Sequence, residues 1–205
     1  MRSSLRTTPT RARLGGTAAV LAGLCYAAAG YLDRPASSGY TAALVSVLIV
    51  VLPALFLGGL LGLQARLPHA TRTDLASSAG IVGFVFGCFG AVLGIVGELG
   101  IHLALEGTIA PALRLPATAT TVFGWVLLLA GLTLMGLAAS LTGGLRLLGA
   151  VVSISRALGW VSLLTDPTFP SVLVPMGPVH VAFAAAFCLS WVVWGALLMV
   201  PRENR

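Results

Sequence analysis

Six glycines recur at intervals of three and four residues through one apolar stretch, and this pattern restricts the fold more than any other feature of the chain. They are Gly80, Gly83, Gly87, Gly90, Gly94 and Gly97. On an α-helix this spacing places all six on one side. Each glycine costs a water-soluble helix about 1 kcal/mol relative to alanine, whereas in a bilayer a stripe of small residues lets helices pack closely. The pattern therefore predicts a membrane-spanning helix that packs through its glycines.

The composition extends this prediction to the whole chain. Of the 205 residues, 58% are hydrophobic and only 9% are charged, and the mean hydropathy is +1.00. A soluble domain has about 25% charged residues, so most side chains of this chain cannot face water. The net charge of +6 comes from arginines scattered among the apolar runs. No soluble domain presents them, which argues against a nucleic-acid partner.

Six apolar runs, each long enough to cross a bilayer, predict an all-α polytopic bundle that forms one domain over residues 1–205. The predicted spans are residues 14–32, 40–63, 78–103, 117–141, 145–164 and 176–200. The first run also has the features of a secretory signal with a small-residue cleavage site. We interpret it as an uncleaved span because of its length.

The distribution of arginines predicts the orientation. With the N-terminus inside, the inner segments hold Arg2, Arg6, Arg11, Arg13, Arg66, Arg72, Arg146, Arg202 and Arg205, and the outer loops hold only Arg34 and Arg114. Inner loops of membrane proteins carry the excess of basic residues. We therefore predict that both termini are cytoplasmic, in a bacterial inner membrane.

This orientation predicts a cluster of polar residues near the outer face. Glu98, His102 and Glu106 follow one another at four-residue spacing at the outer end of the third span, and His180 lies at the outer end of the sixth. Arg156 lies near mid-depth in the fifth span, where an arginine needs a partner or a polar cavity. Glu98 is the expected partner. The pair would either fix the register of two helices or line a functional cavity.

The same residues suggest a metal site as an alternative. Carboxylate oxygens and imidazoles suit zinc, manganese or iron, and Glu98, His102 and His180 are the candidate ligands. The spacing of Glu98, His102 and Glu106 is not the HExxH pattern of a metalloprotease. The other interpretations are a proton relay, a substrate-binding group, or side chains that lie in the headgroup region. No cofactor is predicted.

Two further expectations concern the architecture. Trp191 and Trp194 occur late in the sixth span, where tryptophans typically lie at the membrane interface. The glycine stripe favours a position for the third span at the centre of the bundle.

The layout resembles a group of small, uncharacterised bacterial membrane proteins with six spans. The resemblance depends on Gly58-Gly59-Leu60-Leu61-Gly62-Leu63 followed by Arg66, and on a third span that ends in Glu106 and Pro111-Ala112-Leu113. It covers about the middle half of the chain. It implies a six-span fold and no activity.

The sequence leaves three functions open. The first is a small-solute or proton-linked transporter or channel-like protein whose polar cluster lines an outward-facing cavity. The second is a non-catalytic subunit or scaffold that packs through its glycine faces. The third is a membrane-embedded metal enzyme. The expected partners are the lipid bilayer and either a second copy or another membrane subunit, and the solute is unidentified.

Overall fold

The structure is a computed structural model that describes residues 7–32, 39–67, 75–105, 107, 109–142, 145–164 and 177–200. These residues form an all-helical bundle. The helices are α1 Thr7–Leu32, α2 Gly39–Arg66, α3 Leu75–Leu105, α4 Arg114–Leu141, α5 Arg146–Leu164 and α6 Gly177–Met199. A 3-10 turn, Pro111–Leu113, precedes α4.

The first four helices, α1 to α4, begin earlier than the apolar runs that predicted them. Helix α1 begins at Thr7 and includes Arg11 and Arg13 in its first turns, because arginine is a good helix former whether or not it lies in lipid. Helix α4 begins at Arg114 and carries Pro116 in its first turn. Proline is tolerated there because the first amide groups of a helix have no intrahelical acceptor.

The helices form a ring in chain order. Each described helix packs against the next one along the chain, and α6 closes the ring by packing against α1. The most extensive contact is between α3 and α4. Neighbouring helices are antiparallel. Gly16 lies against Gly195 and Gly23 against Cys188, so residue numbers increase along α1 in the direction in which they decrease along α6.

This up-and-down arrangement gives the bundle two ends. The proximal end holds the starts of α1, α3 and α5 and the ends of α2, α4 and α6. The distal end holds the opposite termini. Because the direction alternates from α1 to α6, helix α6 finishes at the proximal end, where α1 begins.

An aromatic cluster occupies the centre of the ring. Trp191 and Trp194 of α6 are fully buried, with ring centroids 4.6 Å apart and ring planes tilted by 53°. The ring centroid of Phe56 of α2 lies 4.3 Å from that of Trp191. Tyr26 of α1, Trp125 of α4 and Phe187 of α6 complete the cluster edge-to-face. The expectation that Trp191 and Trp194 lie at the membrane interface was therefore wrong, since large rings fill the space that a ring of six helices leaves at its centre.

Helix α3 is peripheral instead of central. In the described part of the chain it packs only against α2, α4 and the Pro111–Leu113 turn. Its other side exposes a long row of apolar side chains, among which Phe89 is 62% exposed. The expectation of a central third helix was wrong because the glycine stripe serves two neighbours on one side of α3 and leaves the other side uncovered.

Three helical stretches among the described residues are long and apolar enough to cross a membrane. They are Leu75–Ile101, Pro111–Leu141 and Ala182–Met199, and a shorter apolar stretch is Val51–Arg66. The fold is thus a helical bundle compatible with a membrane protein.

Candidate functional site

Glu98 is the one acidic residue among those that the structure describes, and it lies within an apolar helix. It is half-buried on α3, within the stretch Leu75–Ile101. Glu98 follows Gly94 by four residues and Ala91 by seven, so it lies on the same side of α3 as both of them. That side faces α2, because Gly94 lies against Pro53.

A small cavity lies next to this side of α3, towards the middle of the bundle. Its volume is about 10 Å³, and it is lined by Pro53, Phe56, Gly90, Ala91, Gly94, Gly124, Trp125 and Leu128. A cavity of about this size has room for a single water molecule. The lining is apolar, so the cavity offers no polar route from Glu98 into the bundle.

Arg156 lies at a different depth from Glu98. It is half-buried on α5, three residues from Ser153, which lies against Gly136 of α4, and three from Gly159, which lies against Leu129. Arg156 is therefore level with Leu132 of α4. Since Gly83 of α3 lies against Gly131 and Met135, Arg156 is also level with the first half of α3.

The expected ion pair between Glu98 and Arg156 is not formed among the described residues. Glu98 stands about fourteen residues further along α3 than the level of Arg156, which is about 20 Å of helix rise. The two helices also share no contact, because α4 lies between them in the ring. An arginine side chain cannot bridge this separation, so the described charges do not converge on one site.

The remaining members of the predicted cluster are described in part or not at all. Glu106 lies outside the described residues, as do the side chains of His102 and His180. Their helices do bring His102 and His180 to the distal end. Among the residues that the structure describes, no three His, Cys, Asp or Glu side chains are grouped so that they could hold a metal ion.

The glycine stripe divides into two series with a period of seven. A Cβ atom added to Gly83, Gly90 or Gly97 would meet α4, whereas one added to Gly87 or Gly94 would meet Leu60 or Pro53 of α2, and one added to Gly80 would meet Leu67 just after α2. Helix α4 has small residues at the same period of seven, which are Ala117, Gly124, Gly131 and Ala138. We call the contact between α3 and α4 the glycine interface.

The backbones touch directly in the glycine interface. A Cβ atom built on Gly90 would collide with the amide nitrogen of Leu128, and one on Gly131 would lie 2.5 Å from the carbonyl oxygen of Gly83. Neither position has room for a side chain unless the helices separate. The interface is therefore closed to any solute.

One polar contact at the proximal end has no clear signal in the sequence. The Nη2 atom of Arg66 donates hydrogen bonds of 2.6 Å to the carbonyl oxygens of Leu198 and Val200, at the end of α6. The last carbonyl groups of a helix lack intrahelical donors, and a cation there also interacts favourably with the helix dipole. Arg66 thus ties α2 to α6, which run in parallel. The sequence suggested only that Arg66 sets topology.

The chain matches no known protein family, no curated protein and no solved structure.

Proposed function

We propose that this chain is a six-span integral membrane protein, with both termini in the cytoplasm, that serves as a non-catalytic structural subunit or scaffold. The observation that carries the structural role is the packing of the described bundle. Its interior is filled by the aromatic cluster and by direct backbone contact at the glycine interface.

The outward surfaces support a location in the bilayer for all six helices. Each helix exposes large apolar side chains, represented by Leu24, Val47, Phe89, Phe123, Ile154 and Leu189. Soluble monomers rarely expose apolar patches larger than a few hundred Å². An apolar surface around the whole ring is favourable in contact with lipid, which also makes a bacterial inner membrane a suitable location.

The distribution of described arginines supports the orientation. Arg11, Arg13, Arg66 and Arg146 belong to helix termini at the proximal end, and Arg114 belongs to the distal end. Because basic residues concentrate on the cytoplasmic side, the proximal end is assigned to the cytoplasm.

Single cysteines that replace residues at chosen depths test both parts of the proposal. In a background without Cys25, Cys88 and Cys188, one cysteine replaces Ala91 at the cavity, and others replace Arg114 and Arg146 at the two ends. We expect a membrane-impermeant maleimide to label the Arg114→Cys variant only from outside and the Arg146→Cys variant only from the cytoplasm. The Ala91→Cys variant should be labelled from neither side.

Each result decides a separate part of the proposal. Labelling of the Ala91→Cys variant from outside would reveal a water-filled path and overturn the packed scaffold. Labelling of the Arg114→Cys variant only from the cytoplasm would overturn the orientation and leave the packing intact.

A proton-linked transport role is the second candidate, and the position of Glu98 favours it. An ionisable side chain within a membrane-spanning helix is costly and usually marks an ion or proton pathway. In proteoliposomes, this role predicts a proton flux above that of empty vesicles, lost in the Glu98→Gln variant. A wild-type flux equal to that of empty vesicles would exclude it.

A further inference from the structure

Arg156 carries a positive charge in the middle of α5, and no described residue provides a counter-charge for it. It lies about 12–15 Å from either end of α5, at 1.5 Å per residue. It makes no hydrogen bond or ion pair with any residue that the structure describes. Arginines at the centre of a bilayer are costly and are generally paired or hydrated, so this position calls for a partner.

The carboxylate that the structure describes, that of Glu98, does not meet this need. Glu98 lies about 20 Å from the level of Arg156, on a helix that does not contact α5. The other acidic residues fall between the helices or after the last one: Asp33, Asp74, Glu106, Asp166 and Glu203. In a second copy in the same orientation, Glu98 would lie at the same depth as in the first. The described residues therefore place no carboxylate at the level of Arg156, which favours a counter-charge on a different molecule.

Arg156 also lies beside a surface to which another helix has access. It shares the side of α5 that faces α4 with Gly149 and Ser153, which lie against Ser140 and Gly136. Thr133 and Leu137 lie on α4 three residues before Gly136 and Ser140, and Leu137 is 44% exposed. We call the surface formed by Thr133, Leu137, Ser153 and Arg156 the α4–α5 groove.

The polar groups of the groove leave the charge of Arg156 uncompensated. The Thr133 hydroxyl donates to the carbonyl oxygen of Leu129 at 2.8 Å, which uses its proton within α4. A hydroxyl carries no negative charge in any case. A carboxylate matches both the charge and the planar fork of a guanidinium, which it can accept in a two-bond arrangement.

We propose that the α4–α5 groove binds a transmembrane helix of a different protein, through an Asp or Glu at mid-depth that pairs with Arg156. This inference rests on the proposed structural role and names the chemistry of the partner that the scaffold would hold.

Photo-crosslinking in the native membrane tests the groove. A photoreactive amino acid replaces Leu137 at the groove, and in a matched control it replaces Val85, which is 42% exposed on α3. We expect the Leu137 probe, and not the Val85 probe, to form an adduct with a membrane protein whose spanning helix contains Asp or Glu. The Arg156→Gln variant should reduce the adduct about tenfold or more, as expected for the loss of a charge-assisted contact, and Glu98→Gln should leave it unchanged.

A substitution in the partner protein provides a control for misfolding of the Arg156→Gln variant. Replacement of the partner's carboxylate by its amide should reduce the adduct to the same extent with the wild-type chain. Adducts with lipid alone or with a second copy would overturn the proposal, as would an adduct that survives Arg156→Gln or a partner without a membrane carboxylate. None of these results bears on maleimide labelling at Ala91, so failure of the groove and failure of the packed scaffold can be told apart.

Discussion

The glycine interface and the aromatic cluster hold the same bundle together in opposite ways. At the glycine interface, α3 and α4 approach until backbone atoms touch, and side chains are excluded. At the centre, six large rings from α1, α2, α4 and α6 fill the space, with Trp191 and Trp194 fully buried. The glycine interface therefore requires residues without side chains, whereas the aromatic cluster requires large ones. Substitutions that add or remove atoms should separate the two.

Removal of volume from the aromatic cluster should give the largest effect. Trp191→Ala leaves a cavity between Phe56, Phe187 and Trp194, and such a truncation costs about 3–5 kcal/mol of unfolding free energy. Reversible denaturation in mixed micelles measures it. Phe123→Ala, at a position 56% exposed on α4, is the control and should cost much less. Equal losses for the two variants would show that Trp191 is not a core residue.

Addition of a single methyl group to the glycine interface should give the next largest effect. Gly90→Ala forces a Cβ atom against the backbone of Leu128, and overpacking of this kind costs about 1–3 kcal/mol. Gly94→Ala is a matched control on the same helix. There a Cβ atom would meet Pro53 at 3.5 Å, which is ordinary contact.

We therefore expect Gly90→Ala to lower the free energy of unfolding and Gly94→Ala to leave it unchanged or raise it. The better helix propensity of alanine is worth up to about 1 kcal/mol and should make Gly94→Ala neutral or stabilising. If Gly90→Ala is as stable as Gly94→Ala in the same denaturation assay, α3 and α4 do not approach as described.

A polar contact outside both regions should have a smaller and more local effect. Arg66→Gln removes the charge-assisted hydrogen bonds to Leu198 and Val200, and one such bond contributes about 1.5–3 kcal/mol, part of which water regains at a helix end. Hydrogen exchange should rise in the last turn of α6 and stay unchanged at Trp191. Faster exchange throughout α6 would mean that Arg66 supports the aromatic cluster as well.

The smallest effect expected is the coupling between Glu98 and Arg156. Because they lie on helices that do not touch, the stability changes of Glu98→Leu and Arg156→Leu should add in the double variant to within about 0.5 kcal/mol. A larger coupling energy would restore the ion pair that their sequence positions suggested.

The sequence predicted the elements of the fold better than their arrangement. Apolar runs and glycine spacing predict helices because both depend on local periodicity. Whether Gly87 and Gly90 face one neighbour or two depends on the angle between helices, which no local pattern encodes. Trp191 illustrates the same limit, since a tryptophan near the end of a span suits a membrane interface and a bundle centre equally well.

The candidate site could be predicted even less completely. Depth along a helix follows from residue number, so the distal position of Glu98 could be expected from the sequence. Lateral proximity does not follow, and α4 stands between Glu98 and Arg156. The contact of Arg66 with the end of α6 joins residues more than a hundred positions apart, so it could not be foreseen from spacing.

Disulfide cross-linking provides the most direct test of the central claim, that α3 packs on α4 at the edge of a closed bundle and keeps Glu98 away from Arg156. A Cβ atom on Gly100 would lie 3.0 Å from that of Ala117, so the helices need to separate by only about 0.5 Å to reach the Cβ spacing of a disulfide, about 3.5–4.5 Å. In the cysteine-free background, mild oxidation should rapidly cross-link the Gly100→Cys, Ala117→Cys pair and leave the Glu98→Cys, Arg156→Cys pair reduced. Efficient cross-linking of the second pair and not the first would contradict the account.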